Sequence, residues 1–328
     1  MAASITDIRA KLNGGLIPAV PVMFDGDNRF HESAHRSYVE FMATQSVAGV
    51  AVWAHTGRGL HLDGDIATSV LQVWRQALPD KILIAGVGPT NRISSQKDPT
   101  NATLEMAMIA EEHGADALLV YPPSWLKNSQ GNDQEANKLV VKHHERVAEI
   151  GLPLLLFYLY DAAGGINYDL AVLSDLLSLK NVIGIKVATL DSVMTYQDIS
   201  RHIQKFHSDK LLITGEDRFL GYSLQRGAHA ALIGMGAVCS DLQAQLLNAH
   251  FSGDSERFLE LSALVDRLAE VLFVPPMEGY IGRILVALSQ LEIIPLDATN
   301  DPFGPKLSTT EIEEIRSVVN SLIPAYAG

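Results

Sequence analysis

The sequence predicts a (β/α)8 TIM barrel with a C-terminal helical extension, and three observations carry that prediction. Short apolar runs recur along the chain, each followed by turn residues and then a helical pattern. The runs are uninterrupted by polar residues, as expected of parallel strands buried on both faces. Eight such units fit into about 240 residues, the size of a (β/α)8 barrel. An open doubly wound sheet is the alternative. It normally carries a glycine-rich phosphate turn after its first strand, and Met23-Phe-Asp-Gly-Asp-Asn28 is not one.

The first run, Leu16–Met23, is irregular because Pro18 and Pro21 cannot donate to a strand ladder. Gly49–Ala54 is the second, and its helix is expected over Ile66–Leu78. Ile82–Gly88 is the third, with a helix over Thr103–His113, and Arg92–Pro99 reads as an inserted surface loop between them. Ala117–Tyr121 leads to a helix over Gln134–Ile150. Pro153–Tyr158 leads to one over Tyr168–Leu179, with Asn167 as its cap. Val182–Lys186, Leu211–Gly215 and Ala230–Met235 complete the eight. Glu112-His-Gly-Ala-Asp-Ala-Leu118 and Gln225-Arg-Gly-Ala-His-Ala-Ala231 repeat one phrase, a glycine ending a helix before the next strand. Three further helical patterns follow, Glu256–Phe273, Tyr280–Leu291 and Thr309–Leu322, the last opened by a capping box at Ser308-Thr-Thr-Glu311. The expected division is a barrel over 1–240 and a helical extension over 241–328 packed on it.

The 328 residues are 47% hydrophobic and 19% charged, so a large core is expected and bulk disorder is not. A net charge of −13 argues against nucleic acid as a partner. The single cysteine, Cys239, excludes an intrachain disulfide and reads as a small buried residue. Met1–Lys11 lacks the basic start and apolar run of a signal peptide. No stretch of 18 uninterrupted apolar residues appears, so no membrane partner is expected. Together these point to a cytoplasmic protein.

In such a barrel the strand carboxyl ends and the loops after them build the active site. Lys186 falls at the end of the sixth strand in Asn181-Val-Ile-Gly-Ile-Lys-Val-Ala-Thr189. Apolar walls would disfavour its charged form, and a neutral amine can attack a ketone to form a Schiff base. The other use of such a lysine is to snorkel to solvent. Around the same mouth lie Ala54-His-Thr-Gly-Arg58, Tyr121-Pro-Pro-Ser-Trp125, Tyr158, Glu216, Asp217 and Gly234. This is a coherent set for carbonyl chemistry.

These motifs resemble the dihydrodipicolinate synthase / N-acetylneuraminate lyase family of class I, pyruvate-type aldolases, over nearly the whole length. Gly184-Ile-Lys-Val-Ala-Thr189 resembles its Schiff-base strand, Leu156-Phe-Tyr158 its tyrosine strand, and Ala54-His-Thr-Gly57 its carboxylate-binding turn. Gly227-Ala-His-Ala-Ala-Leu-Ile-Gly234 and Gly304-Pro-Lys-Leu-Ser308 match its eighth strand and C-terminal signature. The resemblance implies Lys186 as the nucleophile and Tyr158 as the proton relay. It implies Thr56 and its turn as the holder of the keto acid's carboxylate; His55, Gly57, Arg58 and Gly234 complete the candidate substrate-binding set, and no metal and no cofactor are expected. It implies a small 2-keto acid as substrate and a homo-oligomer, tetramer or dimer. Tyr158 could equally be a core-edge tyrosine bonded to backbone, and Thr56 ordinary turn chemistry.

The departures are also informative. His55 stands where the family has a small hydroxyl residue and Arg58 where it has an acid. A histidine can relay protons or simply pack, and an arginine can grip a second carboxylate or pair with a surface acid. The synthase branch has an arginine where this chain has Ala163, and a second tyrosine where it has Ser124. The resemblance therefore favours a sugar-acid aldolase or dehydratase over true dihydrodipicolinate synthesis. A catalytically silent or regulatory 2-keto-acid binder is the alternative.

Overall fold

The computed structural model describes residues 4–90, 98–129 and 134–326. Its eight parallel strands are β1 (Leu16–Pro18), β2 (Gly49–Val52), β3 (Ile82–Val87), β4 (Ala117–Val120), β5 (Leu154–Leu159), β6 (Val182–Ala188), β7 (Leu211–Thr214) and β8 (Ala230–Ile233). They run in the order β1-β8-β7-β6-β5-β4-β3-β2. A parallel bridge between Ala19 and Ala51 brings β1 back to β2 and closes the ring. The expected barrel is present. The loop expected at 92–99 lies mostly outside the described residues.

The strands are buried along their whole length because each faces two apolar layers. Ile17, Ala51, Ile84, Leu119, Leu155, Phe157, Ile183, Ile213 and Leu232 fill the interior. Their strand neighbours, including Val50, Leu118, Leu156, Tyr158, Val187 and Leu212, pack outward against the helices. Side chains alternate between these layers with the two-residue period of a strand.

The helices on the outside are α2 (Glu32–Ala43), α3 (Gly64–Ala77), α4 (Pro99–Glu112), α5 (Gln134–Ala148), α6 (Leu170–Leu177), α7 (Val193–Phe206), α8 (Leu220–Gln225) and α9 (Ser240–Ser252), with α1 (Ile5–Leu12) preceding β1. Asp169, not Asn167, caps α6, accepting from the Val172 amide at 2.8 Å. Asn167 is left free to take a different partner. The helix after β8 is α9, so the eighth β/α unit runs to Ser252 and a division at 240 would cut that helix at its first residue.

Beyond it come α10 (Ser255–Leu272), α11 (Tyr280–Gln290) and α12 (Thr309–Tyr326). Ser308 and Glu311 form the expected capping exchange. Arg283 of α11 is fully buried and holds these helices together. It donates to the carbonyls of Leu272, Val274 and Pro276 and to the Glu311 carboxylate. That clamp sets the turn Met277–Gly279 and the start of α11 over the carboxyl ends of the strands. No single helix among the described residues is long and apolar enough to cross a membrane.

Candidate active site

Lys186 enters the barrel interior from β6 and is 5% exposed. It pairs in register with Phe157 on β5 and Ile213 on β7, so these three share the inward face. The lysine Nζ sits 4.5 Å from the centre of the Phe157 ring. Gly215 makes the space for it: a Cβ there would come within 2.7 Å of the Lys186 Cε. Burial lowers the amine from its ordinary value to about 8, against an opposing pull from the Asp217 and Glu216 carboxylates.

The two acids are themselves buried, and burial raises both. Each is held by donors. Asp217 accepts from the Met235 amide at 2.7 Å. Glu216 accepts from the Thr189 and Leu190 amides at 2.6 and 2.8 Å and from the Thr189 hydroxyl at 2.9 Å. The sequence placed these acids at the mouth; the structure sets Asp217 in the chamber wall beside the lysine.

Tyr158 lies elsewhere. It pairs with Val187 and faces the outer layer, where its ring meets Tyr168 at 6.2 Å. Its hydroxyl donates to the Asn167 Oδ1 at 2.6 Å. The Tyr158 hydroxyl, expected as a relay, is engaged by Asn167 in this arrangement. Adjacent strand residues point to opposite faces, and the one that meets Lys186 is Phe157, which carries no proton.

The turn after β2 is a short 3-10 helix, His55–Gly57. It brings His55 and Thr56 over the barrel, and Gly57 fits because a Cβ there would lie 2.8 Å from the Val20 carbonyl. Both His55 and Thr56 meet Tyr280, at the start of α11. The Tyr280 hydroxyl is 3.1 Å from His55 Nδ1 and 3.0 Å from Thr56 Oγ1. Gly234 lies beneath this pair, where a Cβ would come within 3.0 Å of the Tyr280 ring and 3.1 Å of Thr56 Oγ1. Burial lowers His55 to about 4, so its imidazole is neutral near pH 7.

Arg58 borders an open cavity, but its guanidinium is already paired. It is 6% exposed and bonded to Asp301 Oδ2 at 2.7 Å and Glu278 Oε2 at 2.8 Å. Glu278 also accepts from the Tyr160 hydroxyl at 2.9 Å, and its Oε2 lies 3.5 Å from His55 Nε2. Arg58 thus belongs to an internal ion-pair network that ties the β2 turn to the C-terminal extension.

Two spaces result. A chamber of about 20 Å³ is walled by Lys186, Phe157, Asp217, Thr56, Tyr280 and their neighbours. It has room for about one water molecule. Above it, His55, Arg58 and Glu278 form the floor of an open cavity of about 390 Å³, bordered by Tyr121, Ser124, Ala163 and Phe303. The structure thus brings Lys186, Thr56, His55 and Gly234 together, keeps Gly57 and Arg58 in the support of the turn, and packs Tyr158 in the outer layer. Sequence reasoning missed Tyr280, Glu278 and Tyr160. Tyr160 is close to the fifth strand's end, two residues beyond Tyr158 on an extended path. Tyr280 and Glu278 carry no local signal, since they meet the β2 turn across 220 residues or more.

Comparison with known proteins places this architecture. The sequence model of the Dihydrodipicolinate synthetase family matches residues 12–322. A 4-hydroxy-tetrahydrodipicolinate synthase of Bartonella quintana is 28% identical over 268 residues, covering 80% of this chain and 83% of the relative. Solved structures share the fold at low identity. The N-acetylneuraminate lyase of Fusobacterium nucleatum complexed with pyruvate superposes with a TM-score of 0.78 at 19% identity, covering 96% of this chain and 99% of that one. The dihydrodipicolinate synthase of Agrobacterium tumefaciens superposes with a TM-score of 0.79 at 20% identity, covering 96% and 100%. With a family match that spans nearly the whole barrel and its extension, this chain belongs to the dihydrodipicolinate synthetase family.

Proposed function

We propose that this protein is a Schiff-base-forming lyase acting on pyruvate or a 2-keto sugar acid, by aldol cleavage, condensation or dehydration through Lys186. The observation that carries the reading is the lysine itself: inward-facing, buried, and lowered to about 8 by its surroundings. A neutral amine there can add to a C2 ketone, and the protonated imine then draws electrons from the C3–C4 bond or assists loss of water. Thr56 is the candidate to receive the substrate carboxylate, once its hydroxyl turns from Tyr280. The pyruvate in the Fusobacterium lyase structure makes pyruvate the natural first ligand.

The finer reading favours a sugar-acid substrate over dihydrodipicolinate synthesis, although the Bartonella relative carries the synthase name. The outer cavity offers Ala163 and Ser124, and its one central guanidinium, Arg58, is already paired. A homo-oligomer is proposed on the family likeness alone. The test is borohydride reduction in the presence of pyruvate, read by intact mass and peptide mapping, on wild type and Lys186→Ala. One adduct on Lys186, absent from the variant, supports the reading; no adduct with pyruvate or larger 2-keto acids overturns it.

A second reading, a catalytically silent 2-keto-acid binder, is favoured by Phe157 beside the lysine and by a chamber with room for one water. It predicts an adduct without turnover across a panel of 2-keto sugar acids.

A further inference from the structure

We infer that Glu278, brought to the barrel mouth by the C-terminal extension, is the charge-selective residue of the outer cavity. It accepts a hydrogen bond from a hydroxyl at the far end of a 2-keto acid and opposes a second carboxylate there. The inference rests on the Schiff-base reading above and deepens it by naming what selects the far end of the substrate.

A chamber with room for about one water holds no carbon chain beyond the ketone. The carbons of a longer 2-keto acid on Lys186 must therefore extend into the space outside it. His55 borders both the chamber and the outer cavity, so the two meet at its ring. Glu278 stands at that junction. Its Oε2 lies 3.5 Å from His55 Nε2, and its Oε1 accepts from Tyr160, a residue of the chamber wall.

The charges at this floor do not cancel. Arg58 carries one positive charge and pairs with two carboxylates, Glu278 Oε2 at 2.8 Å and Asp301 Oδ2 at 2.7 Å. The Asp301 side chain is 4% exposed and that of Glu278 35%, so the surplus negative charge is presented by Glu278. Burial works to raise Glu278, but His55, Arg58 and Tyr160 outweigh it and hold the carboxylate below its ordinary value, so it is ionised at neutral pH. His55 is neutral near pH 7 and does not offset it. The other ionisable groups of the described cavity wall are His61, whose ring packs on Phe303 at 5.0 Å, and Tyr121, whose hydroxyl donates to the Trp53 carbonyl.

A carboxylate offers about four lone-pair positions, all of them acceptors. Tyr160 and Arg58 take one on each oxygen of Glu278. The remainder suit the O–H groups of a hydroxylated chain. A second carboxylate brings no proton to donate, and it meets a like charge beside a protein wall, where repulsion is stronger than in water. Arg58 does not compensate, because its guanidinium is engaged by the two acids. Leu60, Pro89, Pro122 and Phe303, on the same cavity wall, have side chains with no donor.

Borohydride trapping on the full chain at about pH 8, where an ordinary histidine is neutral, tests this. The probes are pyruvate, 2-keto-3-deoxygluconate, which ends in CH2OH, and 2-keto-3-deoxyglucarate, which differs only in ending in a carboxylate. The readout is the concentration of each that half-saturates total adduct on Lys186, full-length or pyruvate-derived, in wild type and Glu278→Gln. The amide keeps the size of the side chain and an oxygen for Arg58. In wild type the dicarboxylate should need at least about ten-fold more than the monocarboxylate, the order expected of two like unit charges near a protein surface. In Glu278→Gln the gap should close to within about three-fold. Raising salt from about 0.05 M to about 0.5 M should narrow the wild-type gap, because the screening length shortens, and this readout does not depend on the variant folding. No wild-type adduct with pyruvate overturns the Schiff-base reading and this one with it. A pyruvate adduct with none from either sugar acid, or with a wild-type gap under about three-fold, overturns the charge selection alone. So does a wild-type gap that salt leaves unchanged, or one that a folded Glu278→Gln retains.

Discussion

Lys186 and Phe157 face each other across neighbouring strands, with the lysine Nζ 4.5 Å from the ring centre. The ring face attracts an ammonium weakly and offers no proton acceptor. The hydroxyl of the next residue, Tyr158, is bonded to Asn167 on the other side of the sheet.

From that parity, Tyr158→Phe should leave the rate of Lys186 adduct formation within about three-fold of wild type. It should cost about 1 kcal/mol of stability, the usual net worth of one hydrogen bond. Timed borohydride quenching and urea unfolding check the two halves. A 100-fold slower adduct in this variant would restore Tyr158 to the mechanism.

The lysine's environment sets a pH dependence. Its ammonium loses a proton near pH 8, so the neutral fraction and the initial trapping rate should rise from pH 6 to 9, with an inflection near 8. Asp217 opposes this by stabilising the charged form. Asp217→Asn should therefore move the inflection to lower pH, measured by trapping rates at matched pyruvate. An upward movement would mean that the carboxylate acts on the amine other than by its charge.

Arg58 should behave as a structural residue. Its guanidinium bonds the buried Asp301 and the half-buried Glu278, and removing it leaves the buried Asp301 carboxylate uncompensated. Arg58→Ala should lower unfolding stability by about 3 kcal/mol, the low end for a broken buried pair. The same variant bears on the clamp idea. A large rise in the Michaelis constant confined to dicarboxylate substrates, with stability unchanged, would revive it.

The fold was legible because a buried parallel strand needs only an apolar run, and eight of these with helices between them leave little choice. The lysine was legible because a charged residue ending an apolar strand stands out. The facing of Tyr158 was not, for the same reason the strands were easy to find. When both faces of a strand are apolar, the sequence carries no alternation to say which residue points inward. An irregularity in register between Leu154 and Leu155 further breaks any count carried from β5 to β6. Tyr280 and Glu278 were illegible because their meaning comes from Arg283 and the ion pairs that dock the extension on the barrel.

Gly215 offers the strictest test of the chamber's geometry. An added Cβ would meet Lys186 Cε at 2.7 Å, Ala188 Cβ at 2.8 Å and the Val187 carbonyl at 3.0 Å. The lysine's flexible stem can give way, but the Ala188 Cβ and the Val187 carbonyl are fixed to β6. Gly215→Ala should thus push the lysine end off its position and strain the β6–β7 contact. Overpacking of this kind costs about 1–3 kcal/mol, too little to unfold an ordinary domain. The adduct rate should fall by at least about ten-fold, since sub-ångström to ångström misplacement of a nucleophile is costly. Circular dichroism and thermal unfolding would show whether the barrel is retained. A folded variant that traps pyruvate at the wild-type rate would mean that Lys186 reacts from a conformation other than the one over Phe157.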